Sequence, residues 1–272
     1  MALLRTILGF LFVIAWTAFL LPFALLSIPL TWGGDFTIWM ARKLWSPAMI
    51  RVAAGTRVTV TGGDKVDFNK PAVYVCNHQG IMDVPAAFVA LPTNFRFVAK
   101  KSLKHLPGIG WYMQVAGYVF VDRGNRRAAV ESLEVAARKI AQGVSVVVFP
   151  EGTRTRDGRI LPFKKGPFVL AMKAGVPIVP VALEGSYKIY AKGSIAATFG
   201  TEIRVAIGEP IPTAGLHESE REALIKRTRD TMIDMHLAIG GAGGDREDAV
   251  AAAGLEGIGK ARAVAGGRGG YA

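Results

Sequence analysis

Between Arg5 and Asp35 the chain carries no charged residue, and from Thr6 to Leu21 only Thr6, Gly9 and Thr17 interrupt a run of large apolar side chains and alanines. A helix of about 20 apolar residues crosses the hydrocarbon of a bilayer, so the front of this chain belongs in lipid or is removed. Removal would make it a signal peptide, with Met1 to Arg5 as a short basic n-region and an apolar h-region behind it. The apolar character runs well past any cleavage point, however. Pro22 and Pro29 are expected to break it into a helix and a second membrane-contacting piece, giving a hairpin or a helix lying partly in one leaflet. Phe36 to Val52 then mixes Phe36, Trp39, Leu44, Trp45 and Met49 with Arg42, Lys43 and Arg51. Rings beside cationic stems suit the headgroup boundary; an amphipathic helix packed on its own domain has the same pattern.

The 272 residues allow one large domain or two small ones, and 51% hydrophobic against 20% charged is greasier than an ordinary soluble enzyme. Of the formal +12, residues 1 to 34 hold +1 and the tail from 240 is neutral, so +11 falls on residues 35 to 239. A basic body suits anionic lipid surfaces and phosphorylated substrates. Nucleic acid is the competing partner, but zinc-finger spacing, an RNP-type aromatic motif and a helical basic region are all missing. The single cysteine, Cys76, rules out an intramolecular disulfide framework and fits a reducing compartment.

From Thr56 onward short β-branched runs alternate with helical ones, the pattern of an α/β domain. Strands are expected at Val58 to Val60, Ala72 to Cys76, Phe95 to Ala99, Tyr118 to Val121, Val144 to Phe149, Ile178 to Leu183 and Ile203 to Ile207. Helices are expected from Arg126 to Gln142, capped by Asn125, from about Pro167 to Lys173, and from Ser219 to about Leu237. The resulting division is membrane-associated helices over 1–55, an α/β domain over 56–239 and a Gly/Ala-rich disordered tail over 240–272.

Asn77-His78-Gln79-Gly80-Ile81-Met82-Asp83 follows the apolar run Ala72 to Cys76, so His78 is expected in a strand-to-helix turn, where α/β folds place reactive groups. A histidine with a carboxylate partner is a candidate general base. Five residues of ideal helix turn about 500°, which leaves the two side chains some 140° apart. They meet only if the helix starts near Ile81 or Met82, with Gly80 supplying backbone freedom. The plain alternative makes Asn77 and Asp83 caps and His78 a loop residue. No second histidine or cysteine stands at metal-ligand spacing. Phe149-Pro150-Glu151-Gly152-Thr153-Arg154 follows another β-branched run. There an arginine and a glycine could hold a phosphate, unless Glu151 and Arg154 simply pair in a surface turn. Lys100, Lys101 and Lys104, then Arg123, Arg126 and Arg127, are further basic clusters.

Taken together these segments resemble the glycerolipid acyltransferase family, and most closely its 1-acylglycerol-3-phosphate (lysophosphatidic acid) acyltransferases. The N-H-x-x-x-x-D block is Asn77 to Asp83, the hydrophobic-Asp-Arg block is similar to Gly117 to Arg123, F-P-E-G-T-R is Phe149 to Arg154, and V-P-x-x-P-V is similar to Val176 to Val181. The stretch Lys100 to Gly110 also resembles the family, and the likeness covers about residues 56 to 215.

The resemblance implies a central mixed sheet flanked by helices, with the amino-terminal helices entering the membrane. It implies acyl transfer from an acyl thioester, carried by coenzyme A or acyl carrier protein, to the sn-2 hydroxyl of lysophosphatidate. The product is phosphatidate, and no metal or cofactor is used. His78 and Asp83 are then the catalytic pair; Arg123, Glu151, Gly152, Thr153, Arg154 and Lys104 bind substrate. Backbone N–H groups near Gly152 or Asn77 are candidates for meeting the carbonyl oxyanion. The expected place is the cytoplasmic membrane with the catalytic domain on its cytoplasmic side. Glycerol-3-phosphate or another lysolipid such as lyso-ornithine lipid is the competing acceptor. A hydrolase or a non-catalytic lipid-binding protein is the competing class, although no G-x-S-x-G elbow is present.

Overall fold

The computed structural model describes residues 2–31, 35–122, 126–190 and 196–246. Its front is one helix, Ala2–Thr31, which runs through both prolines. The expected break at Pro22 does not occur. A proline forfeits one N–H bond, to the carbonyl four residues back, and apolar helices carry that loss when the rest of the backbone stays paired. The first 26 residues of this helix are long and apolar enough to cross a membrane. Side chains such as Leu4, Leu11, Ile14 and Leu26 point outward, each more than half exposed.

A second helical stretch, Asp35–Met40, Ala41–Trp45, Ser46–Ala48 and Met49–Ala53, alternates α and π turns and packs back on the first. Trp45 Nε1 donates to Thr17 Oγ1 at 3.0 Å and Trp16 Nε1 to the Leu44 carbonyl at 3.3 Å. The second stretch therefore folds back on the first, and the first helix continues unbroken past Pro22 to Thr31. Phe36, Trp39 and Val52 of this stretch stay on the surface, while Ile38 and Ile50 are buried against the domain. Both readings of its amphipathic pattern hold, on different faces.

The domain is built on a seven-stranded sheet in the order β1-β7-β6-β2-β5-β3-β4. The strands are β1 (Arg57–Gly62), β2 (Val73–Cys76), β3 (Phe95–Lys100), β4 (Val119–Val121), β5 (Ser145–Val148), β6 (Ile178–Glu184) and β7 (Glu202–Ile207). Neighbours are parallel except β6 and β7, so the sheet is mixed. Parallel strands buried on both faces need apolar side chains at successive positions, and β2 has them. Val73 and Val75 face a core shared with Ala136, Ile140, Phe168 and Met232. Tyr74 and Cys76 face a second core shared with Phe88, Phe95 and Phe97, beneath the second helical stretch.

Helices Arg126–Ala141, Gly166–Ala174 and Arg221–Ala238 match the expected positions within a few residues. The Asn125 cap lies outside the described residues. A disordered tail from 240 is not what the structure gives over 240–246. Gly243 accepts the Ile160 N–H at 2.8 Å, Gly244 bridges Ile160, and the Asp245 carbonyl accepts from Arg229. Small residues lack apolar side chains to bury, yet their backbone can still pair with a neighbouring loop. The rest of the tail lies outside the described residues.

Candidate active site

β2, β3, β5 and β6 run parallel, so their carboxyl ends open on one edge of the sheet. Loops at such an edge converge. β2 delivers Asn77 and His78, β5 delivers Phe149 to Arg154, β3 delivers Lys100, and β6 delivers Gly185 and Ser186.

The loop after β2 is held by its own polar groups. Asn77 is buried and reaches across to β6, where its Nδ2 donates to the Leu183 carbonyl at 2.9 Å and its Oδ1 accepts the Leu183 N–H at 2.7 Å. The helix then starts at Asp83 (Asp83–Ala90). That late start closes the 140° gap of a regular helix. His78 Nδ1 lies 2.7 Å from Asp83 Oδ2. The same oxygen accepts the N–H groups of Gln79 at 2.7 Å and Gly80 at 2.8 Å, and Ser186 Oγ donates to Oδ1. Gly80 is required by packing, since a Cβ there would stand 2.8 Å from the Ser186 carbonyl oxygen.

Asp83 is fully buried and the His78 side chain is 21% exposed. An ionised carboxylate only accepts, so Nδ1 carries the proton and Nε2 presents its lone pair outward. Phe149 stacks on the imidazole with centroids 4.2 Å apart and planes at 19°, and Phe97 stacks behind Phe149 at 5.9 Å. The ring is thus fixed by a hydrogen bond at one nitrogen and by a face contact. Cys76 lies directly beneath in the core, where burial pushes its thiol far up and keeps it neutral.

His78 opens on a cavity of about 870 Å³. Its walls are largely apolar. Val13, Thr17, Leu20, Leu21 and Ala24 come from the first helix, Met40, Ala41 and Trp45 from the second stretch, and Phe88, Phe97, Tyr112 and Tyr118 from the domain. Its polar lining includes Lys100, Gly152, Thr153 and Arg154 beside His78. A largely apolar cavity with a few polar and cationic groups on its lining can take a chain with a charged head.

The expected substrate residues therefore divide. Gly152, Thr153 and Arg154 reach the cavity, and Gly152 does so with φ at +71°, a backbone that favours glycine. The Gly152 N–H is donated to the Phe149 carbonyl at 3.2 Å, which removes it as an oxyanion donor.

Glu151 does not line the cavity. Its neighbour in the turn faces the substrate side, and Glu151 turns inward, accepting the His78 N–H at 2.9 Å and the Leu161 N–H at 3.3 Å. Burial pushes its carboxyl up to about 8, against the pull of those two donors. Through these bonds it braces the backbone of the His78 loop.

Lys104 does not line the cavity either. Lys101–His105 is a 3₁₀ helix, in which residues three apart share a face. Lys100 and Leu103 take the cavity face, and Lys101 and Lys104 take the other. Arg123 lies outside the described residues.

Ser186 was not expected. A polar residue just past the end of a parallel strand, in Glu184-Gly185-Ser186, was the available signal. Among the described residues no group of three or more His, Cys, Asp and Glu side chains gathers as a metal site would require.

Comparison with known proteins bears on the family and the fold. The family model described as Acyltransferase matches residues 57–184. A chloroplastic 1-acyl-sn-glycerol-3-phosphate acyltransferase of Brassica napus is 38% identical over 170 residues, 62% of this chain and 48% of that one. The 1-acyl-sn-glycerol-3-phosphate acyltransferase alpha of Homo sapiens is 36% identical over 200 residues, 72% of this chain and 70% of that one. The chain spans only about half the length of the plant relatives it matches, 48% and 57% for those of Brassica napus and Arabidopsis thaliana. Among solved structures, the 1-acyl-sn-glycerophosphate (LPA) acyltransferase PlsC from Thermotoga maritima superposes with a TM-score of 0.75 at 28% identity, covering 88% of this chain and 95% of that one.

Proposed function

The chain belongs to the acyltransferase family, and from that premise we propose that it transfers an acyl group from a thioester to the sn-2 hydroxyl of 1-acyl-sn-glycerol-3-phosphate, forming phosphatidate. The observation that carries this reading is the His78 imidazole, tethered through Nδ1 to buried Asp83 while its other nitrogen faces the cavity.

Nε2 takes the hydroxyl proton as the oxygen attacks the thioester carbonyl carbon. Asp83 balances the imidazolium that forms. As the tetrahedral intermediate collapses, the C–S bond breaks and the imidazolium returns its proton to the departing sulfur. No enzyme nucleophile is needed, and Cys76, buried and neutral, is unsuited to be one. Arg154 and Lys100 are the cations on the lining nearest in kind to a phosphate-binding pair. The role of Arg123 in that group rests on its sequence block. The apolar walls suit an acyl chain, and because the first helix supplies part of them, chain and membrane meet in the same place.

We assign the protein to the cytoplasmic membrane with its domain on the cytoplasmic side, supplied with acyl-coenzyme A or acyl carrier protein. The test is acyl transfer by purified protein in lipid to a panel of lysolipids and glycerol-3-phosphate. The expected result is preference for lysophosphatidate and loss of turnover in His78→Ala with lipid binding retained. Equal use of all acceptors would sink the acceptor assignment, and an active His78→Ala would sink the mechanism.

A further inference from the structure

Behind the His78 loop lies a second buried polar group that does not touch the cavity. Gln79 belongs to both sides. Its backbone N–H holds Asp83 Oδ2 at 2.7 Å, while its Nε2 points the other way, 3.0 Å from the Gly158 carbonyl and 3.0 Å from Glu184 Oε2. Glu184 ends β6 and is 1% exposed. Its Oε2 also lies 3.0 Å from His236 Nε2, and its Oε1 accepts from Lys188 at 2.7 Å. His236, on helix Arg221–Ala238, is fully buried.

The tautomer of His236 is fixed by geometry. Its Nδ1 lies 3.1 Å from the Gly243 backbone N–H, which can only donate. Nδ1 is therefore the acceptor and Nε2 bears the proton, aimed at Glu184. The Nε2 atoms of Gln79 and His236, 3.1 Å apart, are two donors sharing one carboxylate oxygen. Burial would raise the Glu184 carboxyl, but His236, Gln79 and Lys188 outweigh it and bring it down to about 2. A carboxylate so held is a fixed acceptor for the Gln79 carboxamide.

We propose that His236 is a positioning residue for the transfer reaction: through Glu184 and Gln79 it holds in place the backbone N–H groups that aim Asp83 at His78. The proposal rests on the acyltransferase reading above. Its physical basis is that an orienting carboxylate misplaced by about 1 Å costs up to about 100-fold in rate, while Gln79, Glu184 and His236 lie off the cavity lining.

The competing explanation is that His236 only anchors the segment at Gly243. Two substitutions separate them, because glutamine places a nitrogen donor where Nε2 stands and asparagine places an oxygen acceptor where Nδ1 stands. In the full-length protein in lipid, His236→Gln keeps the donor to Glu184. It is expected to retain kcat within about threefold. His236→Asn keeps the Gly243 bond and loses Glu184, and is expected to lower kcat roughly 10- to 100-fold with KM for lysophosphatidate nearly unchanged. The reverse order, or equal losses that follow the melting temperature, overturns the proposal.

A second readout does not need turnover. With ¹⁵N-labelled histidine, the His78 ring resonances should move in His236→Asn and stay in His236→Gln. If the wild type fails to acylate lysophosphatidate, this arm still decides, and unmoved resonances in the asparagine variant refute the link. Should His236→Asn fail to fold, Gln79→Met removes the carboxamide at similar size and is expected to lose kcat with KM held; full activity in it refutes the link equally.

Discussion

Replacing Asp83 by asparagine removes one charge and almost no volume, and the surroundings allow it to be accommodated. The asparagine oxygen can occupy the Oδ2 position and still accept from His78 Nδ1 and the N–H groups of Gln79 and Gly80. Its amide nitrogen then faces Ser186 Oγ, a hydroxyl able to turn and accept. The imidazole tautomer is preserved, so the variant isolates the charge. At 2.7 Å the attraction between an imidazolium and a carboxylate is about 6 kcal/mol with an effective dielectric near 20. A proton half transferred in the transition state feels about half of this, about 3 kcal/mol, or roughly 150-fold in rate. The buried charge also disappears, which offsets the weaker hydrogen bonds that a neutral amide accepts, so the loss of folded stability should be small. Steady-state acyl transfer to lysophosphatidate beside a thermal melt measures both. The expectation is kcat lower by about two orders of magnitude with the melting temperature nearly unchanged. A kcat within threefold of the wild type would refute electrostatic support by Asp83; a kcat that falls only as far as the fold does would make Asp83 a cap of the Gln79 and Gly80 amides and nothing more.

Three other perturbations follow from the same geometry. Glu151 is held near 8 in the fold against an ordinary value of 4.5, so the folded state keeps its proton where the unfolded chain has lost it. Its contribution to stability is full below about pH 4.5 and lost as pH rises toward 8; melts across that window should show wild type declining relative to Glu151→Gln, and parallel curves would contradict the buried brace. Gly80→Ala puts a Cβ 2.8 Å from the Ser186 carbonyl oxygen. Forced apart, the two loops should lose about 1–3 kcal/mol and the Ser186 bond to Asp83, seen as a lower melting temperature and a lower kcat, whereas wild-type values would mean the contact is slack. Ala41→Phe fills part of the apolar wall and should cut transfer of long acyl chains more than short ones in a chain-length series, with an unchanged ratio arguing that the cavity does not hold the acyl group.

Local signals fixed much of this molecule. The seven β-branched runs became the seven strands, because alternation and branching act within a few residues and do not depend on which neighbour is found. The His78 to Asp83 spacing could be read as a pair only on condition that the helix began late, and the helix does begin at Asp83. Which expected residues reach the cavity was not legible, because side-chain type does not give direction. Glu151 points into the domain, and Lys104 lies off the cavity lining on a 3₁₀ turn whose neighbour Lys100 lines it. Pro22 was read as a breaker because its local cost is plain, whereas the packing that outweighs that cost involves residues far along the chain, such as Thr17 with Trp45.

What the sequence determined alone is the kind of chemistry and the elements that carry it. A histidine and a carboxylate after one strand, a glycine and an arginine after another, and an uncharged front fit for lipid are all written within short windows. Tertiary structure decided which groups meet. Ser186 reaches Asp83 from 103 positions away, and Gln79 meets His236 across 157. The cavity is lined jointly by the first helix, the second helical stretch and the domain. Contacts of that range leave no periodic trace in the chain, since they depend on strand order, and strand order is set by how the two buried faces of the sheet are covered.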